Sequence, residues 1–387
     1  MYRLLIDGTA LSTTPKGVGR YSYNLVEQLL KRLSNTWSIS IIVFDGDIPE
    51  FGQATNLSII RLPRLPELVK GLIVIPLFTI KTRADLILLP GEVVALSVGR
   101  PVLAVLHDID ALIASAARRR ANVISRMLNV IKQYFRIRML QNAQVVICNS
   151  EFTAEAAIGS YGITRNRISL GYCGVDERFY NCDDADIQYW SDATRYWRGY
   201  VLTFATGDPR ERYDLIPAIW QYVHSKLPET GLIVAGIRRG EKYVVELENE
   251  FRSRGLAEGR DYAFVDFLGE NEFGRLRSLY RDADFYLELS GHEGFGMQLA
   301  EAMATGTTCI SSGRGALSEV GSTYTLVFEE QESQNIAEKI IGAYEGELHL
   351  RDNSAQVEYT RRFSWDYVGA LVTRKLIELE RDVGGRI

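Results

Sequence analysis

The sequence predicts two α/β domains, each a doubly wound parallel sheet, and two observations lead there. Short apolar runs of strand length alternate with segments of helical period, and the series occurs twice. A polar stretch over residues 181–198, containing Asn181-Cys182-Asp183-Asp184-Ala185-Asp186 and Asp192-Ala193-Thr194, separates the two series. The length of 387 residues agrees, because at roughly 150 residues per domain it favours two large units. We therefore expect a first domain over residues 1–185, a second over 199–360, and a closing segment over 361–387.

In the first half, Leu4-Leu5-Ile6-Asp7 has the pattern of a short buried strand. A glycine-containing loop follows, Lys16-Gly17-Val18-Gly19-Arg20, and then Leu25, Val26, Leu29, Leu30 and Leu33 recur at helical spacing. Further strands are expected at Ser38–Phe44, Leu86–Leu89, Val102–Leu106 and Gln144–Cys148, whose unbroken apolar character fits parallel strands covered on both faces. The second half repeats the pattern at Tyr200–Thr206, Leu232–Ala235, Tyr262–Phe267, Phe285–Leu289, Thr308–Ser311 and Tyr324–Phe328. The clearest helix between them carries Ile216, Ile219, Trp220, Val223 and Leu227, at offsets of 3, 4, 7 and 11. Two such domains are expected to face each other across a cleft.

Apolar residues make up 46% of the chain and charged residues 24%, enough to bury a core in each domain, which excludes wholesale disorder. The net charge of −5 argues against a nucleic-acid partner, but it hides an asymmetry. Residues 1–180 carry 21 Lys and Arg against 14 Asp and Glu, whereas residues 181–387 carry 23 against 35. The mild total is thus no argument against an anionic surface beside the first half. Residues 111–150 alone hold Arg118, Arg119, Arg120, Arg126, Lys132, Arg136 and Arg138, and no acid. Cys148, Cys173, Cys182 and Cys309 show no metal-ligand spacing and read as free thiols of a reducing compartment. Residues 1–8 lack the basic and apolar regions of a secretory signal. The longest apolar run, residues 71–80, is about half of the ~20 residues that span a bilayer. A cytoplasmic location is expected, with peripheral attachment to the inner face of the membrane as a variant of it.

The stretch richest in chemistry runs from Ser290 through Gly291-His292-Glu293-Gly294-Phe295-Gly296 to Gly306. It follows an expected strand, is glycine-rich, and turns helical from about Met297, with Gly306 placed to end the helix in the left-handed conformation. A glycine loop that opens a helix at the C-terminal end of a parallel strand is an anion site. Bare backbone N–H groups and the positive end of the helix dipole can hold a diphosphate there without a metal. Glu293 in the loop and Glu301 in the helix flank the turn. If the segment between them is helical, their separation is about 12 Å, too far for the roughly 5 Å of a glycosidase nucleophile pair. They suit instead a grip on hydroxyls at opposite ends of one extended ligand. The plain alternative is that Glu301 only caps or solvates a helix face.

On these residues the chain resembles the retaining family 4 of the GT-B glycosyltransferases. Its E-x7-E signature stands here as Glu293-Gly294-Phe295-Gly296 followed by Glu301-Ala302-Met303-Ala304-Thr305-Gly306. Phe267-Leu268-Gly269 and Leu279-Tyr280-Arg281-Asp282-Ala283-Asp284 resemble the lead-in to that motif, and Gly315-Ala316-Leu317-Ser318-Glu319-Val320 its continuation. Gly17-Val18-Gly19-Arg20-Tyr21, His107-Asp108, Asn149-Ser150-Glu151-Phe152, Gly174-Val175-Asp176 and Phe363-Ser364-Trp365-Asp366 fall in the family's order, so the resemblance covers nearly the whole chain. It implies a GT-B fold whose final helix returns to the first domain. The implied activity moves a hexose, mannose-like in preference, with retention of configuration. The donor would be a nucleotide diphosphate sugar, GDP-mannose favoured, and the acceptor a glycan or lipid-linked saccharide, with no metal or other cofactor. Glu293 would then hold the donor sugar, Glu301 the ribose hydroxyls, and the backbone of Gly294, Phe295 and Gly296 the diphosphate. Gly17 and Gly19 would let backbone approach the donor, the backbone near Phe267–Gly269 would read the base, and His107 would touch donor sugar or acceptor. On the residues alone, His107 reads equally well as a structural histidine at a strand end.

The chain departs from the family at two places. Met297-Gln298 and Thr307-Thr308 stand where proline-containing pairs are usual. The phosphate-binding Arg and Lys after the first strand of the second domain are replaced by Thr206-Gly207-Asp208-Pro209-Arg210-Glu211-Arg212-Tyr213-Asp214, with no lysine. We expect Arg212 as the diphosphate ligand, just before a helix that Asp214 N-caps and whose first turn holds Pro217. Arg210 is the second candidate, and two solvated loop arginines are the plain alternative. The segment from Arg118 to Leu140 places Ile124, Leu128, Ile131 and Phe135 on one helical face, as a helix packed on the sheet would; residues 118–138 are also a candidate contact with anionic lipid headgroups. As a dinucleotide signature, Gly17-Val18-Gly19 is weak, being no G-x-G-x-x-G. The alternatives to a transferase are a nucleotide-sugar epimerase of the same fold and a non-catalytic binder of glycan or nucleotide.

Overall fold

The computed structural model describes residues 1–12, 17–46, 51, 55–91, 95–108, 123–181, 196–266, 268–269, 272–329, 332–346 and 353–384. The chain divides into two units, Met1–Gly174 with Ser364–Ile387, and Val175–Phe363. The division falls at Gly174, ahead of the polar connection that the sequence suggested. The reason is local: Val175 N donates to Phe363 O (2.9 Å), and Phe179 packs on Phe273 and Tyr280, so residues 175–181 join the second unit. Most of the polar connection, 182–195 with Cys182, lies outside the described residues.

The first unit contains β1 (Tyr2–Asp7), β2 (Trp37–Phe44), β3 (Leu57–Leu62), β4 (Leu86–Leu89), β5 (Val102–Leu106), β6 (Val145–Cys148) and β7 (Ile168–Leu170). All pairs are parallel, in the order β3-β2-β1-β4-β5-β6-β7. Strands β4, β5 and β6 are buried along their whole length, as unbroken apolar runs require when both faces are covered. The two edge strands, β3 and β7, have no counterpart among the strands expected from the sequence. β3 exposes Ser58, Ile59 and Arg61, and β7 has three half-buried residues. An edge strand needs no buried run, so the signal that finds central strands is missing.

The helix Val18–Arg32 follows β1, and Gly17, with φ +33°, is its N-cap. Gly19 is therefore already helical, and the expected glycine loop is shorter than the sequence suggested. The helix Trp365–Gly384 packs against Val18–Arg32, where Arg32 pairs with Asp366. A Cβ on Gly369 would lie 2.5 Å from Gln28 Cβ, so a glycine permits that approach. The helix Val123–Asn142 departs from expectation. Its buried residues are Arg136, Met139 and Leu140, whereas Leu128 is exposed and Ile131 and Phe135 are only half-buried. Arg136 is no surface charge, because its Nη2 donates to Asp108 O (2.9 Å). Arg118–Arg120 and the side chain of Ile124 lie outside the described residues.

The second unit contains β8 (Gly199–Phe204), β9 (Thr230–Ile237), β10 (Tyr262–Asp266), β11 (Phe285–Glu288), β12 (Thr308–Ser311) and β13 (Leu326–Val327), parallel in the order β10-β9-β8-β11-β12-β13. Its core centres on Trp220, which donates from Nε1 to Asp261 O (2.7 Å), and on Phe251 stacked over Tyr262 at 3.9 Å. The helix Ile216–Lys226 buries Ile216, Ile219, Trp220 and Val223, as their offsets predict. Asp214 does not cap it. A 3-10 turn, Tyr213–Leu215, runs straight into the helix, so Asp214 lies inside a turn, and the N-cap position falls to Leu215 with no side-chain bond.

Candidate functional site

In an open parallel sheet, ligands bind beyond the C-terminal ends of the strands where the strand order reverses. In the second unit that point lies between β8 and β11, and the loops after these two strands carry the predicted donor residues. The loop after β11 is held from below by the segment after β12. Ser312 N donates to Glu288 O (3.0 Å), Ser312 Oγ to Ser290 O (2.6 Å) and Ala316 N to Glu293 O (3.0 Å). Gly315 permits the last contact: a Cβ there would stand 2.7 Å from Glu293 O and 3.1 Å from Glu293 N. Gly296, at φ +92°, turns the chain into the helix Met297–Ala304 and is its N-cap, with no side chain capping that end. Gly306 follows the helix at φ +82°, the left-handed position expected for it.

The loop after β8 is folded by its own carboxylates. Asp208 Oδ1 accepts from Arg210 N (2.9 Å), and its Oδ2 accepts from Arg210 Nε (3.0 Å) and Nη2 (2.8 Å). Glu211 reaches back to the strand end, accepting from Thr206 N and Thr206 Oγ1, both at 2.6 Å. Burial pushes the Glu211 carboxyl up from 4.5 to about 7; the two Thr206 bonds oppose the shift, and the charges of Glu288 and Asp208 add to it. Arg212 then sits between two 3-10 turns in a left-handed conformation, φ +50° and ψ +36°. The two loops are in contact. Gly291 N donates to Arg210 O (2.8 Å), and Arg212 Cδ lies 3.4 Å from where a Gly291 Cβ would be. Arg212 is thus brought against the start of the glycine loop that carries Glu293, with Arg210 beside it on Asp208.

Glu301 is 2% exposed in the helix Met297–Ala304, and its Oε2 accepts from the hydroxyl of fully buried Tyr280 (3.1 Å). It is therefore neither a solvated helix charge nor a cap. For Phe295 the sequence points to backbone, not to the side chain. Its ring is buried edge-on against Phe363, with centroids 5.3 Å apart, so only its backbone remains for a ligand.

Gly17, Gly19 and His107 belong to the first unit. His107 follows β5 and is buried, its ring edge-on to Tyr21 at 4.6 Å. Its Nε2 lies 2.7 Å from Pro90 O, which can only accept, so the proton sits on Nε2. Burial lowers its pKa to about 4; the bond to Pro90 opposes this, Arg136 adds to it, and Asp108 acts against it. At neutral pH the ring is uncharged and Nδ1 is an acceptor. Asn149 Nδ2 supports the same turn by donating to His107 O (3.0 Å), and Ser150 caps the helix Glu151–Tyr161.

Sequence reasoning passed over Glu288, Asp208, Glu211, Ser312 and Gly315 as site residues. Glu288 was visible as a carboxylate closing the apolar run Phe285-Tyr286-Leu287, a place where an acid must be satisfied or functional. In the structure it accepts from Tyr286 OH (2.7 Å) and Ser290 N (3.1 Å). Glu211 carried no signal, because its partners appear only once the loop is folded. Among the described residues, no group of three or more His, Cys, Asp and Glu side chains could hold a metal ion, and no helix is long and apolar enough to cross a membrane.

Comparison with known proteins agrees with this architecture. The model of the family Glycosyl transferases group 1 matches residues 198–362, and that of Glycosyltransferase Family 4 matches residues 15–179. The chain is 26% identical over 181 residues to mannosylfructose-phosphate synthase of Agrobacterium fabrum, covering 46% of this chain and 39% of that protein. It is 24% identical over 239 residues to O-antigen chain mannosyltransferase B of Escherichia coli, covering 59% and 58%. The matches thus span less than two thirds of the length of these relatives. The fold matches the crystal structure of Anabaena HepE in complex with UDP and glucose, with a TM-score of 0.73 and 18% identity over 97% of this chain and 99% of that one. With one family model on each unit, the two together spanning most of the sequence, the chain belongs to glycosyltransferase family 4, the group 1 transferases.

Proposed function

We propose that the protein transfers a hexose, mannose in preference, from a nucleotide diphosphate sugar to a glycan or lipid-linked saccharide, with retention of anomeric configuration. The observation that carries this reading is the approach of the Arg212 side chain to Gly291, at the head of the glycine loop that runs to the uncapped helix start at Gly296, beside β8 and β11. In the transfer, the bond from the anomeric carbon to the diphosphate oxygen breaks and its electron pair leaves with the diphosphate. An acceptor hydroxyl oxygen bonds to that carbon and gives up its proton. Negative charge therefore grows on the leaving group, where a fixed guanidinium and a helix N-terminus stabilise it most.

Arg212 is the principal diphosphate ligand in this reading, and Arg210, held by Asp208, a lesser one. Glu301 takes the ribose hydroxyls and Glu293 the donor sugar. His107, uncharged, accepts from a sugar hydroxyl through Nδ1 and is not a general acid. The mannosyl names of the two relatives support mannose as the sugar, and GDP-mannose is the favoured donor. A peripheral contact of residues 118–138 with anionic membrane would suit a lipid-linked acceptor.

Incubation with GDP-, UDP- and dTDP-sugars, followed by detection of released nucleotide with and without a lipid-linked acceptor, tests the reading. Acceptor-dependent release, with a product of unchanged anomeric configuration by NMR, is expected. Release of a free epimer without acceptor would identify an epimerase instead, and silence with every donor would sink transfer. Glu301→Ala should weaken nucleotide binding by at least about tenfold, since a charge-assisted bond is worth ~1.5–3 kcal/mol.

A further inference from the structure

We propose that residues 67–81 of the first unit form an interfacial element that rests an apolar face on an anionic lipid bilayer. The segment runs as helix Glu67–Val69, a π turn Lys70–Val74, and helix Ile75–Lys81. One side is core: Val74, Ile75 and Thr79 are buried. Lys70, the single charged residue between Glu67 and Lys81, is also turned inward, with Nζ 3.1 Å from Asp7 Oδ2 and 2.7 Å from Thr9 Oγ1. The other side carries Val69, Ile73, Leu77 and Ile80, all exposed, the last three at 59%, 56% and 67%.

This inverts the ordinary surface helix, which shows water its polar side. Single exposed apolar residues need no explanation, whereas a contiguous row marks an interaction site. The first three members recur every four residues, a spacing that drifts by about 40° per step in a regular α-helix. The wider π turn takes up that drift and keeps the row on one side. The row also has neighbours. Leu96 N donates to Gly71 O (3.1 Å), bringing exposed Leu96 and Val98 alongside the segment.

Charge points to lipid as the occupant. Lys81 ends the row, and exposed Arg83 follows it. Lys132 pairs with Glu67 (3.1 Å) and so ties the helix Val123–Asn142 to the segment. That helix exposes Arg126 and Arg138 together with Val130 and Tyr134, in a region of sequence without acids. An apolar row bordered by cations is the composition that the boundary between headgroups and acyl chains accepts. The proposal rests on the lipid-linked acceptor of the proposed function only for its purpose. Lipid binding is measured without turnover, so either reading can fail alone.

The test is flotation of the full chain with vesicles of phosphatidylcholine, and of phosphatidylcholine and phosphatidylglycerol in equal parts. Wild type should bind the mixed vesicles in a salt-sensitive way. Ile73→Ser with Leu77→Ser, and separately Arg126→Glu with Arg138→Glu, should each lower partitioning by at least about tenfold, from lost apolar burial and lost headgroup attraction respectively. Both pairs should leave Tm and nucleotide release with a soluble acceptor unchanged. Absence of wild-type binding, or full binding by the serine pair, would overturn the proposal. So would a wild-type dimer that the serine pair converts to monomer with no vesicle binding, which would make the row a contact between copies.

Discussion

The two places where strand order reverses carry their polar groups in opposite ways. Beside β1 and β4, the groups are turned inward and satisfied within the unit: Asp7 holds Lys70, and His107 gives its one proton to Pro90 O. Beside β8 and β11, the groups are presented by strained or close-packed backbone: Arg212 and Gly296 are left-handed, and Gly315 lies against the backbone of Glu293. The first arrangement defines an uncharged shape, suited to hydroxyls. The second aims charge at a point, at a cost in backbone strain on the order of 1–3 kcal/mol at Arg212, the residue there that is left-handed without being glycine. Substitutions that alter only backbone should therefore injure the second unit far more than the first.

The largest effect is expected at Gly315. The atoms that a Cβ would meet belong to the main chain of Glu293 and cannot swing aside, and φ is +62°. Gly315→Ala should displace Glu293 and cut kcat/KM by about 100-fold or more, with a loss of ~2–3 kcal/mol in stability. Gly17→Ala is the matching change in the first unit. Gly17 also has positive φ, with ψ −97° outside the left-handed helical region, so roughly 1–3 kcal/mol of strain is expected in stability; but among the described residues nothing lies within 4 Å of a Cβ there, so no neighbouring main chain is displaced. Equal losses of kcat/KM in the two variants would erase the contrast between the units.

Titration gives a second contrast of comparable size, with opposite signs. Glu211 binds its proton more tightly in the folded state, at about 7 against 4.5, so folded protein holds more protons than unfolded between these values and stability falls as pH rises through them. His107 does the reverse. Its folded value of about 4 lies below 6.5, the unfolded state holds more protons in between, and stability is lost as pH falls from 6.5 towards 4. Each effect is on the order of 3 kcal/mol, and they oppose one another in the same window, so the wild-type profile hides both. Glu211→Gln should gain Tm over wild type increasingly from pH 4.5 to 7 and then hold level. His107→Gln, which can keep a donor for Pro90 O, should gain increasingly as pH drops below 6.5. Parallel profiles for a variant and wild type would show that its group titrates as it does in solvent.

Much of this was legible in the sequence, for reasons that particular residues make plain. A strand buried on both faces, such as Val102–Leu106, has to be apolar throughout, and a loop whose backbone must bend left-handed has to place glycine at Gly296 and Gly306. Edge strands β3 and β7 obey no such constraint and went unseen. The face of the helix Val123–Asn142 was misplaced because its exposed residues include Met127, Leu128 and Val130, so apolar period no longer marks the buried side. Glu211 and Glu288 are far apart in sequence, and the charge of one bears on the other only because β8 and β11 are neighbours. Asp214 read as a helix cap because an Asp before an apolar period usually is one, yet the chain enters that helix through a 3-10 turn instead.

The smallest effect expected is the difference between the two loop arginines, and it bears on how the second unit aims its charge. Arg210 has its main-chain N–H and two guanidinium donors on the same carboxylate, Asp208, so part of its charge is already compensated before any ligand arrives. Arg212 extends along Gly291, towards the glycine loop. Arg212→Gly keeps the left-handed backbone at no steric cost and removes only the guanidinium, so the variant should fold and lose about 100-fold in kcat, the usual result of deleting one donor to a developing charge. Arg210→Ala takes the guanidinium off Asp208 and leaves more of that carboxylate's charge to repel a diphosphate, so a loss of about fivefold is expected, mostly in KM, near the ~1 kcal/mol of a half-exposed pair. Asp208→Asn supplies the discriminating arm. If Asp208 restrains Arg210, its removal should lower KM for the donor while leaving Arg212→Gly as damaging as before. A rise in KM would mean instead that the Asp208 bonds hold the turn on which Arg212 stands.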